Sequence, residues 1–122
     1  MVWMVVAAVY GALAVVAGAF GAHGLKATLT PEQLVSWNTA AHYHLLHSVV
    51  LLVLALYGVI TGRSVALPAT LFAVGVLFFS GSIYGLLLTT QRWLGPVTPI
   101  GGVLMIAAWL ALIALARPSA GR

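Results

Sequence analysis

The chain of 122 residues has no cysteine and one carboxylate side chain, Glu32. Without cysteine there is no disulfide, no thiolate ligand for zinc or an iron–sulfur cluster, and no thiol nucleophile. With one acid, the paired carboxylates of general acid/base catalysis are excluded, and Glu32 stands at a helix start where capping accounts for it. Methionine is confined to Met1, Met4 and Met105, too few to capture a soft metal through sulfur. The basic residues Lys26, Arg63, Arg92, Arg117 and Arg122 stand singly, so the net charge of +4 builds no patch or stripe that would hold nucleic acid.

What remains is apolar: 63% of the residues are hydrophobic and 5% charged, against about 25% charged in soluble domains. A domain this small cannot wet its surface with so few polar groups, so its solvent is lipid. Residues 2–22 carry no charge and would extend about 31 Å as a helix, the thickness of a bilayer core. A cleaved signal peptide is the competing reading of this segment, but no Lys or Arg precedes the apolar run, which is long for that role. Thr30-Pro31-Glu32-Gln33 has the pattern of a capping box with proline in the first turn. The amphipathic, aromatic stretch from Leu34 to His44 then reads as an interfacial extension, followed by an apolar span over residues 42–61. Further spans are expected over residues 68–90 and 99–116, with Thr98 as N-cap and Pro99 at the first helical position. Short connections between the four make one domain over residues 1–122, an all-α membrane protein of four transmembrane helices in an up-down antiparallel bundle.

Counting Lys and Arg places Arg63, Arg117 and Arg122 on the side of the termini and Lys26 and Arg92 opposite. That count favours a plasma-membrane protein with both termini in the cytoplasm. The polar residues that interrupt the spans gather toward the opposite, outer half. His23 closes the first span; Trp37, Thr39, Tyr43, His44 and His47 open the second; Ser80, Ser82 and Tyr84 fall in the second half of the third; Thr98, Gly101 and Gly102 open the fourth.

Four strings among these residues carry a resemblance. Gly18-Ala19-Phe20-Gly21-Ala22-His23, then Trp37-Asn38-Thr39-Ala40 with Tyr43 and His47, then Phe79-Ser80-Gly81-Ser82-Ile83-Tyr84, then Val97-Thr98-Pro99-Ile100-Gly101-Gly102 with Trp109 resemble, in order, the signatures of the domain of unknown function 423 family. That family of small bacterial membrane proteins is itself similar to the eukaryotic transmembrane protein 256. The resemblance spans essentially the whole chain and implies a four-helix membrane protein without an assigned biochemical role. His42 and His44, flanking Tyr43, depart from the family pattern.

The histidines have two readings. At about 100° per residue, His44 and His47 lie about 60° apart on their helix, so they offer two ligands to which His23 could add a third, for zinc, copper or haem. The plainer reading makes His42 and His44 wet interfacial residues and His47 a neutral imidazole bonded to Tyr84, Ser80 or a free carbonyl. Ala14, Gly18 and Ala22 form a ridge of small residues, and Gly81 and Gly85 a GxxxG step; both suit close helix packing or a homo-oligomer, and also a cleft for a flat apolar ligand. Gly101-Gly102, at the start of the fourth span, would bare N–H groups to an anion. A Ser80 or Ser82 nucleophile with His47 lacks both an orienting acid and a nucleophile-elbow sequence. The expected role is therefore non-catalytic binding, at the outer half, of a membrane lipid, another apolar molecule or a partner membrane protein. A small transporter or channel, and a histidine-ligated haem or metal redox protein, are the alternatives.

Overall fold

The computed structural model describes residues 1–117, which form helices and short turns with no strand among them. Helix α1 (Val2–Ala19) widens into a π-helical turn (Phe20–Gly24), α2 covers Pro31–Thr61 and α3 Ala66–Thr89. A short 3-10 turn (Arg92–Leu94) leads into α4 (Val97–Leu115). All four helices are long and apolar enough to cross a membrane; α1, α3 and α4 lie close to the stretches expected to span, whereas α2 begins at Pro31 and not at residue 42. Arg122, which entered the charge count, lies outside the described residues. Helix α1 packs on α2, α2 on α3, and α3 on α4. Leu51 and Leu54 of α2, Ala69 and Phe72 of α3, Ala7 of α1 and Ala108 of α4 meet in the core.

The predicted capping box at the start of α2 is present. The Gln33 N–H donates to Thr30 Oγ1 at 3.1 Å and the Thr30 N–H to Gln33 Oε1 at 2.9 Å. No break separates the amphipathic start of α2 from its apolar part: one helix of 31 residues runs for about 46 Å. Its opening turns carry Trp37 and Ala40 into the bundle, where both are buried. Helix α2 ends at Gly62, whose φ of 72° is the left-handed conformation that glycine adopts without steric cost.

The start of α4 differs from expectation. Pro96 occupies the N-cap without a side-chain bond, and Thr98, inside the helix, hydrogen-bonds through Oγ1 to Ser82 Oγ of α3. With the helix already begun at Val97, Thr98 stands in its first turn and not at the cap, so its hydroxyl serves its neighbour. Gly101 consequently lies a full turn inside α4 and is not a bare anion-binding end. A Cβ built on it would overlap the Phe79 nitrogen and stand 2.6 Å from the Gly75 carbonyl oxygen, while one built on Gly75 would stand 2.8 Å from Met105 Cγ. These two glycines let α3 and α4 touch backbone to backbone.

The small-residue ridge also lies elsewhere than expected. Ala7, Ala14, Ala17 and Gly21 are the buried small residues of α1 and its π turn, whereas Ala22 is exposed and a Cβ on Gly18 would meet nothing. Steps of three, four and seven residues are the spacing of a coiled-coil seam, not of a GxxxG ridge. Gly81 and Gly85 likewise are not a helix–helix contact: a Cβ on Gly81 would meet only Leu77 of its own helix, and one on Gly85 would meet Leu94.

At the end that holds the N-terminus, Arg63 in the α2–α3 turn reaches the last carbonyls of α4. Its guanidinium donates to Leu115 O at 2.7 Å and to Tyr57 Oη at 3.1 Å. A cation here complements the negative end of the helix dipole.

Two paired substitutions test the close contacts. Gly101→Ala should lose about 1–3 kcal/mol or more of stability in detergent unfolding, as overpacked sites do, whereas Gly102→Ala, with nothing nearer than 3.9 Å, should leave stability unchanged or higher. Gly21→Ala should likewise destabilise the bundle, because its Cβ would stand 2.7 Å from Trp37 Cδ1, while Gly18→Ala should raise helix stability by up to about 1 kcal/mol. Equal unfolding midpoints within either pair would contradict these contacts.

Candidate functional site

Apart from Tyr57 and Thr61 near the end of α2, most polar side chains of the spans lie toward the middle of the bundle and the half away from the N-terminus, in three successive tiers. The first is organised by the π turn. The change of winding there is marked by the Leu25 N–H, bonded to Phe20 O at 2.9 Å. Just before the turn, the Trp37 indole N–H donates to Ala17 O at 2.8 Å, a carbonyl that also accepts from the Phe20 N–H. The indole packs on Tyr84 with ring centroids 4.6 Å apart. Beside it Ser80, buried on α3, donates to Ala40 O of α2 at 2.7 Å.

The second tier is His44 of α2, whose Nδ1 is 3.1 Å from the Tyr84 hydroxyl and whose ring meets Tyr10 of α1 edge-on at 5.9 Å. Tyr10 in turn donates its hydroxyl to Ala73 O of α3 at 2.8 Å. His44 is thus buried, not the wet interfacial residue expected, and it takes the tyrosine that the plainer reading gave to His47. Helix α2 turns the two histidines to different neighbours, His44 toward α1 and α3 and His47 toward α4.

The third tier surrounds His47, near the middle of α2. Its Nδ1 is 2.7 Å from the carbonyl oxygen of Tyr43, one turn earlier, and its Nε2 lies 3.1 Å from the indole nitrogen of Trp109 on α4. A carbonyl only accepts and an indole N–H only donates, so the proton of this imidazole is on Nδ1 and Nε2 is the acceptor. The ring is neutral in this arrangement and both nitrogens are used. Phe72 packs against it at 5.6 Å and against Trp109 at 5.2 Å, ring centre to ring centre.

His23 is exposed at the π turn, apart from the buried His44 and His47. Among the described residues no three His, Cys, Asp or Glu side chains are placed to hold one metal ion. The three-histidine ligand set is therefore not assembled, and Ser80 and Ser82 bond to backbone and to Thr98 instead of His47. Thr39 returns its hydroxyl to Val35 O of its own helix. Tyr43 is partly exposed and packs edge-on against Phe79. Gly102 borders a smaller cavity of about 300 Å³ beside His47 and Trp109. Tyr10 was missed; a lone hydroxyl ten residues into an apolar span was its signal, since a buried tyrosine hydroxyl finds a partner.

Between α1 and α3 runs a cavity of about 360 Å³. Tyr10, Val16 and Phe20 form one wall, Val76, Gly81 and Leu88 the other, and Trp37 and His44 of α2 the floor. The volume is within the range of small-molecule sites, about 300–1,000 Å³. Its walls are hydrocarbon, and every buried polar side-chain atom among the described residues has a hydrogen-bond partner. The site can therefore hold an apolar group, and no fully buried acid, base or nucleophile among the described residues stands unpaired beside it.

Residues 17–102 match the model of the family described as "Protein of unknown function (DUF423)". A UPF0382 membrane protein of Staphylococcus epidermidis is 42% identical over 120 residues, 98% of each chain. The UPF0382 membrane protein YwdK of Bacillus subtilis is 38% identical over 117 residues, 94% of this chain and 95% of its own. A UPF0382 membrane protein of Schizosaccharomyces pombe is 41% identical over 114 residues, 88% of this chain and 95% of its own. No solved structure matches the chain. A family match across most of the chain, relatives that are membrane proteins and four helices able to span a bilayer agree: the chain belongs to the DUF423 family of proteins of unknown function, and it is a membrane protein.

Proposed function

We propose that the protein binds, without chemical conversion, a hydrocarbon chain of a membrane lipid in the groove between α1 and α3. The observation that carries this reading is the groove itself: an apolar cleft floored by Trp37 and His44, with the Trp37 indole N–H bonded to Ala17 O and His44 Nδ1 to the Tyr84 hydroxyl. A polar network closed on itself shapes a cleft and stiffens its floor, yet presents little to a reacting group. The groove opens along helices of membrane-spanning length, so what enters it comes from the bilayer. The reading also places the protein in the plasma membrane with both termini cytoplasmic, on the excess of Lys and Arg at the terminal side, and the groove then faces the outer leaflet.

Gly81 gives the direct test. It borders the groove, and a Cβ there would meet only Leu77 Cδ1 at 3.7 Å, so Gly81→Leu fills the cleft without displacing a helix. Native mass spectrometry of gently extracted wild type should show an adduct of lipid mass, and the variant should lose it by about tenfold or more, the effect of roughly 1.4 kcal/mol. Equal adduct in both proteins would overturn the reading. A wild type found bare, or as a dimer that Gly81→Leu dissociates, would replace the lipid with nothing or with a partner helix.

A further inference from the structure

We propose that the lipid held in the groove is an anionic phospholipid, with its phosphate recognised by Lys26 and Arg92 at the groove's mouth. This rests on the reading above and adds the headgroup to it. At the end away from the N-terminus the groove is bordered by Phe20 on one side and Leu88 on the other. Each wall then runs within a few residues into a turn that carries one cation: Lys26 after the π turn, and Arg92 at the start of the 3-10 turn. Leu25 and Leu29, which flank Lys26, pack in one cluster with Tyr84 and Leu87 of α3. The Lys26 turn and the end of the helix that Arg92 follows are thereby packed on the same cluster of Ala17, Trp37 and Ala41, and two cations from opposite walls come to the same end of the cleft.

The depth of that end suits a headgroup. Trp93, beside Arg92, is 66% exposed, and exposed tryptophan at a helix end marks the level where hydrocarbon meets headgroups. Lys26 and Arg92 are themselves exposed, in contrast to Arg63, whose guanidinium is engaged with Tyr57 and α4. The one acid of this face, Glu32, stands in the first turn of α2, so the face keeps a positive balance. Below the mouth, the groove has few polar atoms with which to read a polar ring. Tyr10, Trp37, Ser80 and Tyr84 are hydrogen-bonded within the protein, as is Nδ1 of His44. Charge selectivity then comes from the mouth, and two exposed cations over an apolar cleft fit a phosphodiester with an acyl chain beneath it.

The test uses full-length protein in mixed micelles with equal amounts of phosphatidylglycerol, phosphatidylethanolamine and phosphatidylcholine of identical acyl chains. Bound lipid is read by native mass spectrometry. The wild type should retain phosphatidylglycerol in preference to the others by about fivefold or more, the factor expected for one or two cations near a lipid phosphate. The double variant Lys26→Gln/Arg92→Gln should bring the preference close to unity while lipid is still retained. Arg117→Gln, at the opposite end of the bundle, should leave the preference intact. Equal retention of the three lipids by the wild type, or a preference that survives the double variant or falls equally with Arg117→Gln, would overturn the headgroup assignment and leave the groove reading standing. If Gly81→Leu retains lipid with the full preference, the lipid sits on the surface and both readings fall.

Discussion

Hydrocarbon has no hydrogen bonds to give, so a polar side chain inside a bilayer must find its partner within the protein, and the position of that partner dictates which helices meet. Trp37 donates to the main chain of α1, Ser80 to the main chain of α2, and Tyr10 to the main chain of α3. Each of these acceptors is a carbonyl on a neighbouring helix. Together the bonds set the azimuth of α1 and α3 about α2. Apolar packing alone would do this weakly, since lipid tails are as apolar as the side chains they would displace. The cleft between α1 and α3 persists because the bonds on its floor fix the walls at that separation.

Much of the architecture was legible in the chain. Apolar runs of bilayer length located the four spans, and Thr30 with Gln33 announced the capping box that the structure contains. The pairing of the polar groups was not legible. A helical wheel assigns His44 and His47 to faces about 60° apart but does not say which helix each face meets. That depended on α1 lying against one side of α2 and α4 against another, and it gave Tyr84 to His44 and Trp109 to His47. The π turn was invisible for a related reason. It is defined by which carbonyl an amide selects, and Phe20 to Gly24 has no residue type that forces the choice. The same turn belongs to the seam of Ala14, Ala17 and Gly21, where Gly18 and Ala22 looked equally plausible by residue size. At the start of α4, Thr98-Pro99 had the composition of a cap, but Pro96 starts the helix earlier and leaves the threonine for Ser82.

His47 shows how an ionisable group is made inert without being removed. Its own helix accepts from one nitrogen and Trp109 donates to the other, and aromatic rings cover its faces. Metal ligation or proton transfer through Nε2 would first break the bond to Trp109. The residue works as a two-ended hydrogen-bond bridge from α2 to α4 in the middle of the bundle, where Phe72 of α3 closes the ring stack. A phenylalanine would fill the space but could not accept the indole proton, which would then be left unpaired.

Arg63 belongs to the turn between the second and third helices, yet the carbonyl it holds most closely, Leu115 O, is at the end of the fourth. That bond can close only after the last helix has crossed the bilayer and brought its final turn back to the same face. A chain halted after three crossings leaves the guanidinium with Tyr57 alone, and one whose last segment stays on the wrong side never presents the acceptor. The full set of bonds at this arginine therefore falls only to chains whose fourth helix has crossed and returned to the face of the second turn.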